Sequence, residues 1–251
     1  MRQEETTLHT RVLRFQLGDD EARSYWSRVA DVEHRDPLRA FEERWFGTVS
    51  EKRVRLIMRE MQRRYDAFPE ALRVLTRWEG MSPATRKVIC HWHLQLVDPL
   101  YRQFSADYLE ERRMNLTASV TRDQVIQWVD QFNDDRWGRK TLTMFASKLL
   151  STAYNAGLVN GKRDPRELLY PRVPDAALSY LLHLLPTVRF EGTLTENPYL
   201  QSVGLTGRFL EDRLRTVPGM TLRRMGDLVE LQSRSASLEE WADQTPLTEV
   251  S

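Results

Sequence analysis

The chain reads as mainly α with short β-hairpins, arranged as winged-helix or helix-turn-helix-like units. Three observations predict this. Helix-start signals recur along the chain, at Asp36-Pro37, Ser82-Pro83, Asp98-Pro99 and the Thr121-x-x-Gln124 capping box. Apolar residues follow them at i, i+3, i+4 and i+7, the spacing that puts one face of a helix into a core. Two glycine-containing turns, Asn160-Gly161 and Gly226-Asp227, interrupt short strand-like runs and predict hairpins.

In chain order, Asp20 is the expected cap of a first helix through Tyr25, Trp26 and Val29. Pro37 opens a second, carrying Leu38, Phe41 and Trp45 and closed by Gly47. Ser50 caps a third, SEKRVRLIMREMQRRYDAF, with Val54, Ile57, Met58, Met61 and Tyr65 on its inner face. Its outer face is assigned Lys52, Arg53, Arg55, Arg59, Arg63 and Arg64, tempered by Glu51 and Glu60. Pro69 begins a helix through Leu72, Leu75 and Trp78 that Gly80 stops. After Ser82-Pro83 comes a helix with Val88, Ile89, Trp92 and Leu96, and after Asp98-Pro99 one with Leu100, Phe104, Tyr108 and Leu109.

Asn115 to Ser119 reads as a linker. The helix after the Thr121 box supplies a stripe of Val125, Trp128, Val129 and Phe132, and Asn133 to Gly138 form a turn. The next helix places Leu142, Phe145, Ala146, Leu149, Leu150 and Ala153 inward and ends at Gly157. Leu158-Val159 enters the first hairpin, with Leu168 to Tyr170 as its return strand. Pro171 and Pro174 precede a helix over 176–185, and Thr206 to Val217 reads as another, with Phe209, Leu210 and Leu214 inward. From Ser233 the chain is Ser-rich and acidic and reads as a flexible tail rather than a short helix from Ser237. These breaks divide the chain into a helical unit with its own helix-turn-helix candidate (1–114), a winged-helix-like unit (115–174), a helix-plus-hairpin unit (175–232) and the tail (233–251).

Charge supplies the functional signal. The chain balances 37 Lys plus Arg against 36 Asp plus Glu, so any field that attracts a polyanion must be local. Between Arg136 and Arg163 there is no acid at all, although the average composition would place about four in such a window. Once the apolar stripe is assigned inward, Arg136, Arg139, Lys140, Thr143, Ser147 and Lys148 remain on the turn and helix, with Lys162, Arg163 and Arg166 on the hairpin. A helix presenting cations and hydroxyls, beside a basic hairpin, is the arrangement with which a winged helix meets bases and phosphates. The bland alternative is a solvated helix face or a protein-docking surface. The face with Lys52, Arg53, Arg55, Arg59 and Arg63 is a second nucleic-acid candidate with a stronger claim to being ordinary solvated surface.

Other chemistry finds little support. His91 and His93 are two residues apart on a helix and diverge by about 200°, so they do not share a metal and are expected to pack. Phosphate-loop, dinucleotide, zincin and serine-hydrolase motifs are lacking, so no enzyme activity and no cofactor are expected. Cys90 is the single cysteine and has no disulfide partner within the chain. A charged start (MRQEETTLHTRV) and the absence of a span-length apolar run lead to the expectation of a cytoplasmic protein.

The order of segments resembles a known family. SEKRVRLIMREMQRRYDAFPEAL leads to SPATRKVICHWHLQLVDPLYRQF, then to the helix at Thr121, to KTLTMFASKLLSTAYNAGLV, to Pro171 and Pro174 with a Leu-rich helix, and to the hairpin after Met225-Gly226-Asp227. Punctuating residues are Asp98-Pro99-Leu100, Arg102, Phe104 and Ala156-Gly157-Leu158. Over roughly Ser50 to Leu231 this series resembles the BrxA family of bacterial BREX (bacteriophage exclusion) systems. The resemblance implies a small, mainly helical, DNA-binding accessory of a phage-defence operon, working with double-stranded DNA and with other BREX subunits. It also implies a likeness to the RNA-binding antitermination protein NusB, so an RNA-binding or scaffolding role stands as the alternative.

Overall fold

A computed structural model describes residues 2–29, 35–225, 228–245 and 247. The expected helix starts are formed by the side chains that predict them. Strand β1 (Arg2–Gln3) and a 3-10 turn at Arg11–Leu13 precede α1 (Asp19–Trp26). Helix α1 begins one residue before the expected cap, because Gly18 takes a left-handed conformation (φ 66°) with its missing side chain's place filled by the Phe15 ring. In α2 (Pro37–Glu42) the Asp36 carboxylate accepts from the Leu38 amide, and in α3 (Glu51–Met61) the Ser50 hydroxyl accepts from the Arg53 amide. Helix α3 continues through a π-helical turn at Gln62–Asp66, before α4 (Pro69–Arg77). Ser82 caps α5 (Pro83–Val97), and Asp98 caps α6 (Pro99–Gln103). A second π turn (Phe104–Tyr108) leads into α7 (Leu109–Arg113).

The expected linker ends in a strand, β2 (Ser119–Val120), and α8 (Arg122–Asp130) starts at the Thr121–Gln124 capping box with both reciprocal bonds present. Helix α9 (Arg139–Ala156) closes on Gly157, which is left-handed at φ 79°. The hairpin that follows is wider than a two-residue Asn-Gly turn. Val159 bridges Leu168, the Asn160 amide donates to the Glu167 carbonyl (2.8 Å), and the return strand β3 is Arg166–Glu167 rather than 168–170. Strand β3 then pairs antiparallel with β2, Ser119 opposite Glu167 and Val120 opposite Arg166.

Beyond it lie α10 (Asp175–Leu184), β4 (Val188–Arg189), α11 (Pro198–Gln201) and α12 (Gly207–Thr216). Strand β4 pairs parallel with β1, which ties residues 2–3 to 188–189. Phe209 departs from expectation: Leu210 and Leu214 are buried, but Phe209 is 79% exposed. Strands β5 (Met220–Met225) and β6 (Leu228–Ser233) form the second expected hairpin, while its Gly226-Asp227 turn lies outside the described residues.

The segment expected to be a flexible acidic tail instead carries helix α13 (Leu238–Gln244), capped by Ser237. Its acids do not repel it into solvent, because Glu239 pairs with Arg73 and Asp243 with Arg77 (2.9 Å) on α4. Leu238, Trp241 and Ala242 are buried beneath. The apolar core is one continuous cluster from Val12 to Ala242, so the expected boundaries at 114 and 174 do not interrupt it. At its centre is Trp92, fully buried with its indole N–H donating to the Tyr199 carbonyl (2.9 Å). Truncating such a residue to alanine costs about 3–5 kcal/mol.

Candidate nucleic-acid interface

Helix α9 turns its apolar stripe into the core and so fixes which residues face out. Taking about 100° per residue, Lys140, Met144, Ser147, Lys148, Ser151, Tyr154 and Asn155 fall on one outward band, with Thr143 at its edge. Leu142, Phe145, Ala146, Leu149, Leu150 and Ala153 are buried opposite, as their spacing requires. Trp137 in the preceding turn packs on Phe145 with centroids 4.6 Å apart, which sets the angle at which the helix begins.

The start of α9 has an unusual electrostatic character. No side chain caps it, no acid lies in its first turn, and Arg139 and Lys140 are its first two residues. Positive charge there opposes the helix dipole, which favours anions at that end. Arg139, Lys140 and Lys148 have no ion pair among the described residues, and neither does Arg163 on the 160–167 loop. The Lys162 ammonium lies 5.1 Å above the Tyr154 ring and links the loop to the outward band of the helix.

The remaining expected residues are occupied elsewhere. Arg136 donates to the Phe132 and Asn133 carbonyls and approaches Asp134 (3.3 Å), so it staples the turn. Arg166 is not a free wing cation. Its side chain is 12% exposed and its Nε donates to Asp164 (3.0 Å), whose other oxygen accepts from the Arg122 amide. The Thr143 hydroxyl donates to the Arg139 carbonyl and the Ser147 hydroxyl to the Thr143 carbonyl, which uses both protons within the helix. Sequence reasoning passed over Met144 (43% exposed) and Tyr154 (37% exposed), whose positions four and fourteen residues beyond Lys140 put them on its face.

On α3 the second basic face is real but smaller than expected. Arg64 is fully buried, donating to the Leu17 (2.5 Å) and Gln16 (2.6 Å) carbonyls with its guanidinium over the Phe15 ring. Seven residues after Ile57 it falls on the inner stripe, a signal its charge had overridden. Arg55 pairs with Glu51, Arg63 with the buried Glu60 (2.8 Å), and Arg53 donates to the Arg14 carbonyl (3.3 Å). Lys52 and Arg59 are exposed. With Arg14, Arg53, Arg55 and Leu56 they line a concavity of about 730 Å³. The two basic regions border one segment, since α9 packs against Arg11–Leu13 and Arg53 holds Arg14.

The two helix histidines take structural places. His91 bonds Tyr101 Oη (2.8 Å) and Ser202 Oγ (2.9 Å), and His93 bonds the Arg64 carbonyl (2.8 Å) and Tyr180 Oη (2.7 Å). Burial pushes His91 down to about 3 and His93 down to about 4 from an ordinary 6.5, so both rings are neutral at pH 7. Among the described residues no cluster of His, Cys, Asp and Glu has a metal-holding arrangement, and no helix is long and apolar enough to cross a membrane.

No protein-family model matches the chain, and no curated protein does. In fold it is similar to the crystal structure of an uncharacterized protein from Magnetospirillum magneticum, with a TM-score of 0.57 and 14% identity. The likeness covers 70% of this chain and 92% of that one, and it is a likeness of architecture alone.

Proposed function

We propose that this is a non-enzymatic protein that binds duplex DNA through α9 and the 160–167 loop, acting as recognition helix and wing. Support comes from the order of elements. Helix α7, strand β2, helices α8 and α9, and a hairpin whose return strand β3 pairs with β2 follow the winged-helix sequence of parts. The observation that carries the reading is the group of cations without acidic partners, the exposed Arg139, Lys140 and Arg163 and the half-buried Lys148, with Lys162 beside them. Cations held against the positive end of a helix gain most from a polyanion. An accessory role in a BREX-type defence system rests on the family resemblance of the sequence.

The test is fluorescence anisotropy with duplex DNA, single strands and structured RNA across a salt series. Tighter binding to duplex, with a log–log salt slope of about −0.9 per phosphate neutralised, is the expected result. Absence of duplex binding near physiological salt overturns it, and a preference for structured RNA transfers the site to the alternative polyanion. Met144 and Tyr154 on the same face favour a second reading, a docking surface for another protein subunit. That reading is supported if Met144→Ser with Tyr154→Ser abolishes subunit capture while leaving duplex affinity unchanged.

A further inference from the structure

The concavity beside α3 gathers its charge from two separate segments. Lys52, Arg55, Leu56 and Arg59 follow one another at i, i+3, i+4 and i+7 along α3, so they line it as one row. Arg53 reaches back to the Arg14 carbonyl (3.3 Å) with its guanidinium 5.4 Å from the centre of the Phe15 ring, and Arg14 lines the same space. Five cations therefore share about 730 Å³ with a single carboxylate, that of Glu51. Arg53 is engaged by its carbonyl, and Arg55 by Glu51 in an exposed pair that water weakens. Arg14, Lys52 and Arg59 are exposed and pair with no acid among the described residues.

The helix itself adds to this field. Ser50 and Glu51 line the concavity at the start of α3, the end whose dipole and free amides favour an anion. Size and spacing then select the ligand. Lys52 and Arg59 are seven residues apart, about 10 Å along the helix axis, so a lone phosphate meets part of the row and a chain of phosphates meets all of it. The volume is that of a small-molecule site. A duplex, being convex and much wider, touches only the rim.

We propose that this concavity binds a short polyphosphate chain, free or as the triphosphate of a nucleotide. Arg14, Lys52 and Arg59 receive the phosphates, and Arg55 exchanges Glu51 for the ligand. Guanidinium and ammonium groups form charge-assisted bonds to phosphate oxygens, and the row and Arg14 offer several at once. The site is separate from α9 and stands if the DNA-binding reading fails.

Isothermal titration calorimetry of the full chain tests it, with sodium tripolyphosphate, ATP and inorganic phosphate titrated separately at one ionic strength. Tripolyphosphate is expected to saturate a single site and to bind at least tenfold more tightly than inorganic phosphate. ATP binding as tightly as tripolyphosphate or tighter identifies a nucleotide as the source, and weaker ATP binding identifies the free chain. Lys52→Glu with Arg59→Glu is expected to weaken tripolyphosphate at least tenfold, and Arg14→Gln several-fold. All three side chains are exposed, so the variants keep the core intact. Lys140→Glu with Lys148→Glu on α9 is expected to leave tripolyphosphate binding unchanged. The proposal is overturned if no anion saturates, if inorganic phosphate binds as tightly as tripolyphosphate, or if the α9 variant loses as much as the α3 variant. It is also overturned if duplex DNA displaces tripolyphosphate from the α9 variant, since α3 would then be a duplex-binding face.

Discussion

Helices α9 and α3 both turn basic side chains outward, yet they hold them in different ways. On α9 the cations stand without acids, Arg139 and Lys140 at a helix end whose dipole already carries positive charge and Lys148 further along. On α3 Lys52, Arg53, Arg55 and Arg59 rim a concavity, and several of the basic residues there and in the π turn after it have partners within the protein: Glu51 for Arg55, Glu60 for Arg63 and the Arg14 carbonyl for Arg53. A count of basic residues ranks α3 first. Counting the partners reverses the order, because a cation without a partner gives up least on meeting a phosphate. Exposed pairs such as Arg55–Glu51 are worth little in themselves, so α3 keeps a positive field for non-specific attraction.

The largest expected effect tests this ranking. Lys140→Glu with Lys148→Glu is expected to lower duplex affinity by more than about tenfold and to flatten the salt slope by about two units. Lys52→Glu with Arg59→Glu is expected to cost less than about threefold in the same anisotropy series. Equal losses would mean that partnership inside the protein does not decide which face binds. A reversed order would move the interface to α3.

A second prediction separates the surface of α3 from its interior. Arg64→Met removes the guanidinium that serves the Leu17 and Gln16 carbonyls and leaves both buried acceptors short of a donor. Urea melts are expected to show a loss of about 2–4 kcal/mol, while duplex affinity of the folded fraction is unchanged. A loss of affinity with unchanged stability would return Arg64 to the binding face.

pH sharpens the contrast between core and surface. His91 and His93 are held neutral by burial, with folded values of about 3 and about 4 against 6.5 for a free imidazole. The unfolded chain therefore takes up protons first, so their contribution is complete above pH 6.5 and is lost as pH falls toward about 4. In that window each ring is expected to remove about 1.4 kcal/mol of stability per pH unit, measurable as a falling urea midpoint. Stability that stays flat from pH 7 to pH 5 would contradict the neutral, buried assignment. The smallest effect belongs to the scaffold of α8, where Thr121→Ala is expected to cost about 1 kcal/mol by thermal melting. An unchanged melting temperature would show that the box does not hold the helix start.

What the chain reveals by reading alone follows from how local each interaction is. Ser50, Ser82, Asp98 and the Thr121–Gln124 box are legible because a cap bonds an amide two or three residues away. The β1–β4 pair and the docking of α13 are not, since their partners are far off in sequence. At the candidate site the inner stripe of α9 was legible from period, but the commitments of Arg136, Arg166, Thr143 and Ser147 were not. Each spends its polar atoms on a neighbour that composition alone does not choose. Phe209 errs in the other direction, as an apolar residue that the period placed inside and the fold leaves in solvent.

The grip of α13 on α4 has a consequence for how the molecule is made. Glu239 meets Arg73 and Asp243 meets Arg77 across a separation of 166 residues each, and Trp241 covers Trp78. During synthesis α4 emerges long before its cover does. Until α13 has cleared the ribosome, Trp78 and its neighbours present an open aromatic surface to whatever is nearby, and a chaperone that binds aromatic residues has its longest opportunity there. Helix α13 is the element that closes this window.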